Sequence, residues 1–257
     1  MHELMIASLP VWLTYAFYAV VAWGVAAVLT TFRTISSGTS MSLLLRVGFV
    51  VWLVVPAWLA NAGTLAQFEA VPPMLVRVVV PAALIITAVS LSPAGMWVAK
   101  RLPLTLLVGF QAFRLPLEIV LHQLAEHGVL PVQMTFTGWN FDILTGASAL
   151  VLWFLLRRGY VSPKVLKIWN VAGLLLLCTI VTLAVLAFPK PFGLFTPQNR
   201  IVAYFPWVWL PTFLVQLALF GHLLMFRKLA SLSEEPAREG AVPGTEAEPD
   251  PETAAES

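Results

Sequence analysis

The chain has 257 residues, 59% hydrophobic and 11% charged, with a formal net charge of +2 and a mean hydropathy of +0.86. A soluble domain of this size carries about 25% charged residues, so the composition excludes one and predicts an all-α integral membrane protein. The charge balance offers no nucleic-acid partner.

The apolar blocks approach the ~20 residues that cross ~30 Å of hydrocarbon and lack the ~10-residue alternation of an outer-membrane barrel. Lipid demands that backbone hydrogen bonds close within the segment, so these blocks are expected to be helices. The pattern predicts seven spans, at about 11–31, 43–61, 74–91, 102–124, 139–156, 167–188 and 201–226, with boundaries good to about ±2–4 residues. The opening MHELMIASLP has no basic n-region and the first apolar block is long enough to span, so the first helix is expected to be retained. Trp12, Trp97, Trp139, Trp153 and Tyr204 fall near span ends, as interfacial anchors do. The single cysteine, Cys178, excludes an intramolecular disulfide and reads as a small buried hydrophobe.

Orientation follows from the basic residues of the short loops. Arg33, Lys100, Arg101, Arg157, Arg158, Lys164, Lys167, Arg227 and Lys228 fall on one set of loops, against Lys190 and Arg200 on the other, with Arg77 just inside the third span. This asymmetry predicts an outside N-terminus and a cytoplasmic C-terminus, in a bacterial inner membrane. Residues 1–230 form the membrane domain. Residues 231–257, SLSEEPAREGAVPGTEAEPDPETAAES, hold eight of the 13 acids and little to bury, and are expected to be a disordered cytoplasmic tail. Five acids remain in the membrane domain, Glu3, Glu69, Glu118, Glu126 and Asp142. Three of them cluster between 118 and 142.

The fourth span carries FRLPLEIVLHQLAEHG, residues 113–128. Gln111, Arg114, Glu118, His122 and Glu126 recur every three or four residues and share one helical face. At 1.5 Å per residue from the basic end, Arg114 lies roughly 18 Å and Glu118 roughly 24 Å along the span. Counting back from Arg157 puts Asp142 of the fifth span about 22 Å from the same side, so the two carboxylates are expected to meet. Thr145, Gly146 and Ala149 share the face of Asp142, small residues that admit a close neighbour. Asn140 stands at the entrance of that helix. The connecting HGVLPVQMTFTGWN is too apolar for a free loop and is expected to fold back and cap the site.

A charge near the bilayer centre costs roughly 3 kcal/mol on insertion scales, so such residues are expected to be paired and to serve a site. Arg114 against Glu118 and Asp142, with a neutral His122, leaves one negative charge in excess. Protonation of His122 or a carboxylate, Arg77 from the third span, or a bound cation would each complete the set. Glu118, His122 and Asp142 also form a candidate ligand set for a divalent metal, with Glu126 in reserve, though the spacing matches no standard zinc signature. The opposing reading is that Arg114 only holds two helices in register. Arg46, Asn61, Gln216 and His222 are expected to be snorkelled ends or interhelical hydrogen bonds.

Walker, HExxH, GxSxG and CxxC motifs are absent. The last span has no lysine between 201 and 227, which excludes a retinal Schiff base. The reading that follows is a multi-pass membrane protein with an outward-side polar site formed by Arg114, Glu118, His122, Asp142, Asn140 and Glu126. It would bind or transport a cation, proton or small polar solute. The alternatives are a membrane-embedded enzyme acting on a lipid or lipid-linked substrate, or a structural or sensory subunit. Membrane lipids, a homo-oligomer or other membrane subunits are the remaining expected partners.

Overall fold

The computed structural model describes residues 8–35 and 39–239. All regular structure among them is helical. The principal helices are α1 (Val11–Ile35), α2 (Thr39–Asn61), α3 (Met74–Leu91), α4 (Pro93–Arg101), α5 (Leu104–Gly109), α6 (Arg114–Glu126), α7 (Ile143–Arg157), α8 (Pro163–Ala187) and α9 (Val215–Glu239). Six stretches are long and apolar enough to cross a membrane: Val11–Ile35, Leu43–Asn61, Met74–Leu91, Leu104–Glu126, Pro163–Ala187 and Leu210–Ser233.

Three boundaries differ from the sequence expectation. The fifth apolar block yields α7, with 15 residues, about 22 Å long and short of a full crossing. Its N-terminus starts inside the bundle at Asp142, and residues 127–140, expected to cap the site, form a loop with a short 3₁₀ turn at Val132–Met134, buried from Val129 to Pro131 and at Met134, Thr135 and Asn140. The last span begins at Leu210, because Ile201–Ala203 forms a separate 3₁₀ turn. Finally, α9 runs to Glu239, through the first part of the stretch read as a tail. Residues 240–257 of that stretch lie outside the described residues.

Local chemistry accounts for the element ends. Ser92 and Ser162 each precede a proline at the first helical position, and their hydroxyls accept from Gly95 N at 3.3 Å and Val165 N at 3.4 Å, starting α4 and α8. The fourth span is broken: Phe110–Phe113 tighten into a 3₁₀ turn before α6 restarts at Arg114. Pro116 belongs there, since a proline in the first turn removes a donor that has no helical partner anyway. The last span opens on a wide π turn at Leu210–Leu214 containing Pro211. Its loosened backbone is held by side chains, as Trp52 Nε1 donates to Thr212 O at 2.9 Å and Gln216 Nε2 to Pro211 O at 3.1 Å.

Packing places α9 at the centre, against α3, α4, α5 and α8. The broken fourth span packs on α7 and α1, while α2 lies further out against α1 and the π turn. Glycines allow the closest approaches. A Cβ at Gly146 would fall 2.3 Å from Leu115 N, and one at Gly221 2.1 Å from Phe110 Cζ, so α7 and α9 reach the broken span only because side chains are missing there.

The two ends of the bundle are distinct. At one, Arg227 donates to Leu91 O at 2.6 Å and Ser92 O at 3.1 Å, and Lys228 to Lys100 O at 2.7 Å. These cations of α9 thereby cap the exposed carbonyls closing α3 and α4. At the other, Lys190 pairs with Glu69, Arg200 lies 4.8 Å over Phe68, and Trp139 packs edge-on to Phe195.

Candidate functional site

Arg114, Glu118, Asn140 and Asp142 are all buried, and they meet where the broken fourth span faces the start of α7. Arg114 Nε donates to Asp142 Oδ2 at 2.6 Å. The Asn140 amide donates toward both Glu118 oxygens at 2.7 Å and toward Met134 O at 3.1 Å, while its Oδ1 accepts from Asp142 N at 3.1 Å. One asparagine thus ties the capping loop, Glu118 and the first turn of α7 together. Glu118 and Asp142, expected to meet, are linked through Asn140.

Two residues outside the expected set complete the network. Arg114 Nη1 lies 2.9 Å from His222 Nε2, and His222 Nδ1 lies 2.8 Å from Asn170 Oδ1. A guanidinium has no acceptor, so His222 Nε2 must accept and Nδ1 must carry the proton donated to Asn170. The imidazole is therefore neutral in this arrangement. Asn170 Nδ2 returns a bond to His222 O at 3.0 Å. Room for the ring comes from Gly173, where a Cβ would sit 2.7 Å from His222 Cε1. His222 does make an interhelical bond, as expected of it, but to the central arginine. Asn170, absent from the expected site, falls among Leu166, Gly173, Leu177 and Ile180 on the buried stripe of α8, where a polar residue is a signal.

Other expected members lie elsewhere. His122 is half-buried, 3.4 Å from Thr137 Oγ1 and packed on Phe136, and Glu126 is exposed at the end of α6. The spacing of the stripe is helical, but α6 leaves the core after Leu124, so its last members face outward. Among the described residues, no three His, Cys, Asp or Glu side chains converge closely enough to hold a metal ion. The Glu118, His122 and Asp142 metal set is not formed. Arg77 turns to its own loop, donating to Pro72 O at 3.0 Å, and does not balance the cluster. Asn61 and Gln216 bond within their own segments, and Cys178 is exposed on α8.

The pairing of Arg114 with Asp142 is incomplete. An arginine and a carboxylate commonly form two parallel bonds; here Arg114 Nη2 is buried with no partner in the protein, while the Asp142 carboxylate also takes a hydrogen bond from the Thr145 hydroxyl. Both residues, with Glu118, line a cavity of about 660 Å³, within the ~300–1,000 Å³ range of small-molecule sites. Its walls come from α3, α8 and the start of α9, and are otherwise almost wholly apolar. Lys190 and Asn199 stand toward its other end. Lys190 there holds Glu69, whose carboxyl it keeps below the ordinary value near 4.5 by its hydrogen bond and its charge.

A protein-family model described as a domain of unknown function, DUF8737, matches residues 71–230. That stretch contains every residue of the polar network and the whole lining of the cavity. No curated protein and no solved structure matches the chain.

Proposed function

We propose that this chain, which belongs to the DUF8737 family, is a multi-pass cell-membrane protein that binds a small molecule at Arg114, Asp142 and Glu118, as a receptor or carrier. The basic loops put the N-terminus outside and Arg227 and Lys228 at the cytoplasmic face. The cavity then lies on the outer side. One observation carries the reading: the buried Arg114–Asp142 pair and Glu118 bring charge to the wall of a cavity of about 660 Å³ in an otherwise apolar bundle.

Charge supports the same reading. One guanidinium faces two carboxyl groups, and His222, accepting from Arg114, adds no positive charge. The cluster therefore holds no excess positive charge that would draw an anion. Glu118→Gln and Asp142→Asn test this in purified protein. Both variants are expected to fold, and to lose the thermal stabilisation that a bound solute or cation gives the wild type. Equal stabilisation of all three proteins by every compound tried would contradict the proposal.

A second reading rests on the 2.6 Å Arg114–Asp142 bond itself: the network only fixes α6 against α7 and α9. Replacing Arg114, Glu118 and Asp142 together with Met separates the two, because an apolar replacement of a buried ionic group is often neutral for stability. Purely structural charges predict a triple variant that is stable and fully active.

A further inference from the structure

We propose that the cavity takes one acyl chain of an anionic phospholipid, which enters sideways between α3 and α8 and leaves its phosphate at a basic mouth formed by Lys190, Arg200 and Arg77. This site lies at the end of the cavity remote from Arg114, beyond the reading above, and asks nothing of the inner charges.

The route follows from the packing. Helices α3 and α8 each lie against α9, and among the described residues they do not pack extensively on one another. The cavity fills the space between them, lined by Leu75, Val76 and Val79 of α3 and by Leu177, Ile180 and Ala184 of α8. Val80, Val181 and Val185 belong to the same lining and are 49%, 37% and 47% exposed, so its walls continue to the side of the bundle. Both helices are long and apolar enough to span a membrane, and hydrocarbon surrounds that side.

The chain follows from the walls. Apart from Arg114, Glu118 and Asp142 at one end and Lys190 and Asn199 at the other, every lining residue is apolar, which suits methylenes and gives a long polar ligand few partners. Along α8 the lining runs from Leu177 to Phe188, roughly 16 Å at 1.5 Å per residue. That length is close to half of a ~30 Å hydrocarbon core, the share of one leaflet. A chain from the leaflet on the Lys190 side fits without crossing the midplane.

The head follows from the mouth. Lys190 lines the cavity just beyond Phe188, and its side chain is 46% exposed. Arg200 lies 4.8 Å over Phe68, whose ring packs 5.6 Å from that of Phe188. Arg77 donates to the carbonyls of Pro72 and Val71, two residues that line the cavity from the side of α3. Against these three cations stands Glu69, paired with Lys190 and felt by Arg200 through its charge. The excess of positive charge sits where the cavity meets the membrane surface, and basic clusters so placed recognise anionic lipid heads.

Native mass spectrometry of the full chain, delipidated in dodecyl maltoside and titrated with palmitoyl-oleoyl phosphatidylglycerol or the matching phosphatidylcholine, tests this. The wild type is expected to hold phosphatidylglycerol the more tightly. Lys190→Gln with Arg200→Gln should remove that preference and weaken phosphatidylglycerol by about 25-fold, roughly fivefold for each cation lost near a membrane surface. Ala184→Trp, a plug in the cavity wall, should abolish the tight site; Val181→Trp takes its place if Ala184→Trp melts lower than wild type. A double glutamine variant that keeps the preference overturns the phosphate at the mouth. Tight binding that survives both tryptophans puts the lipid on the outer surface of the bundle and overturns the chain in the cavity. Displacement of the lipid by an equal concentration of glycerol 3-phosphate overturns the lipid in favour of a soluble phosphate compound. Asp142 stays in place throughout, so failure here falls on the lipid site alone and leaves the role of the inner charges standing.

Discussion

The described residues contain two ion pairs, and they differ in almost every physical respect. Arg114–Asp142 is buried, with side chains 1% and 5% exposed, whereas Lys190–Glu69 lies at the bundle end with side chains 46% and 85% exposed. The outer pair joins two loops, each charge already solvated, and exposed pairs of that kind contribute little to stability. The inner pair has given up its water, so every unmade bond around it counts. The contrast teaches where to look for a ligand. Water solvates the exposed pair, while Arg114 and Asp142 stand at the wall of an apolar cavity.

The largest effect that would break this comparison is the removal of one buried partner. Arg114→Met leaves Asp142 and Glu118 without a cation, and is expected to lower unfolding stability by about 3–5 kcal/mol, measured by chemical denaturation in detergent. Next comes the close approach that holds the partners together. Gly146→Ala forces a methyl to 2.3 Å from Leu115 N, and overpacking of this sort costs about 1–3 kcal/mol. A lower melting temperature together with weaker ligand stabilisation is the expected result.

His222→Ala should cost a similar or smaller amount, about 1–3 kcal/mol, because Arg114 Nη1 loses its buried acceptor. His222→Gln, which keeps an acceptor, is expected to recover part of the loss; a purely steric role for the ring predicts no such recovery. The smallest effect belongs to the outer pair. Lys190→Ala is expected to lower the melting temperature at neutral pH only marginally, and to move the Glu69 midpoint up toward 4.5 in a carboxyl NMR titration. The sign follows from linkage: a lowered folded pKa gives a contribution present above the ordinary value and lost as pH falls through the folded one.

Much of the inner site was legible in the sequence because depth is a one-dimensional quantity. Counting residues from the basic ends placed Arg114, Glu118 and Asp142 near one level, and Gly146 marked where a neighbour comes close. Rotation about the bundle axis is not one-dimensional. His222 and Asn170 sit on α9 and α8 with no local feature that says which helix they face, and only the packing of α9 against both the broken span and α8 brings them to Arg114. The same limit explains His122 and Glu126, whose spacing fits the stripe although α6 has left the core before reaching them. Length misled at the fifth apolar block: the span expected from residue 139 takes in Trp139, Asn140, Phe141 and Asp142, which precede α7 and deliver Asn140 and Asp142 to the site.

The central claim is that the buried charges serve a ligand in addition to the fold. Ligand-dependent melting of the Arg114→Met, Glu118→Met, Asp142→Met triple variant tests it most directly. A protein that melts close to wild type without ligand, and that no longer responds to a compound stabilising the wild type, is the predicted result. A triple variant that is stabilised by the same compound to the same extent would contradict the account and leave the three charges as helix-pairing groups alone.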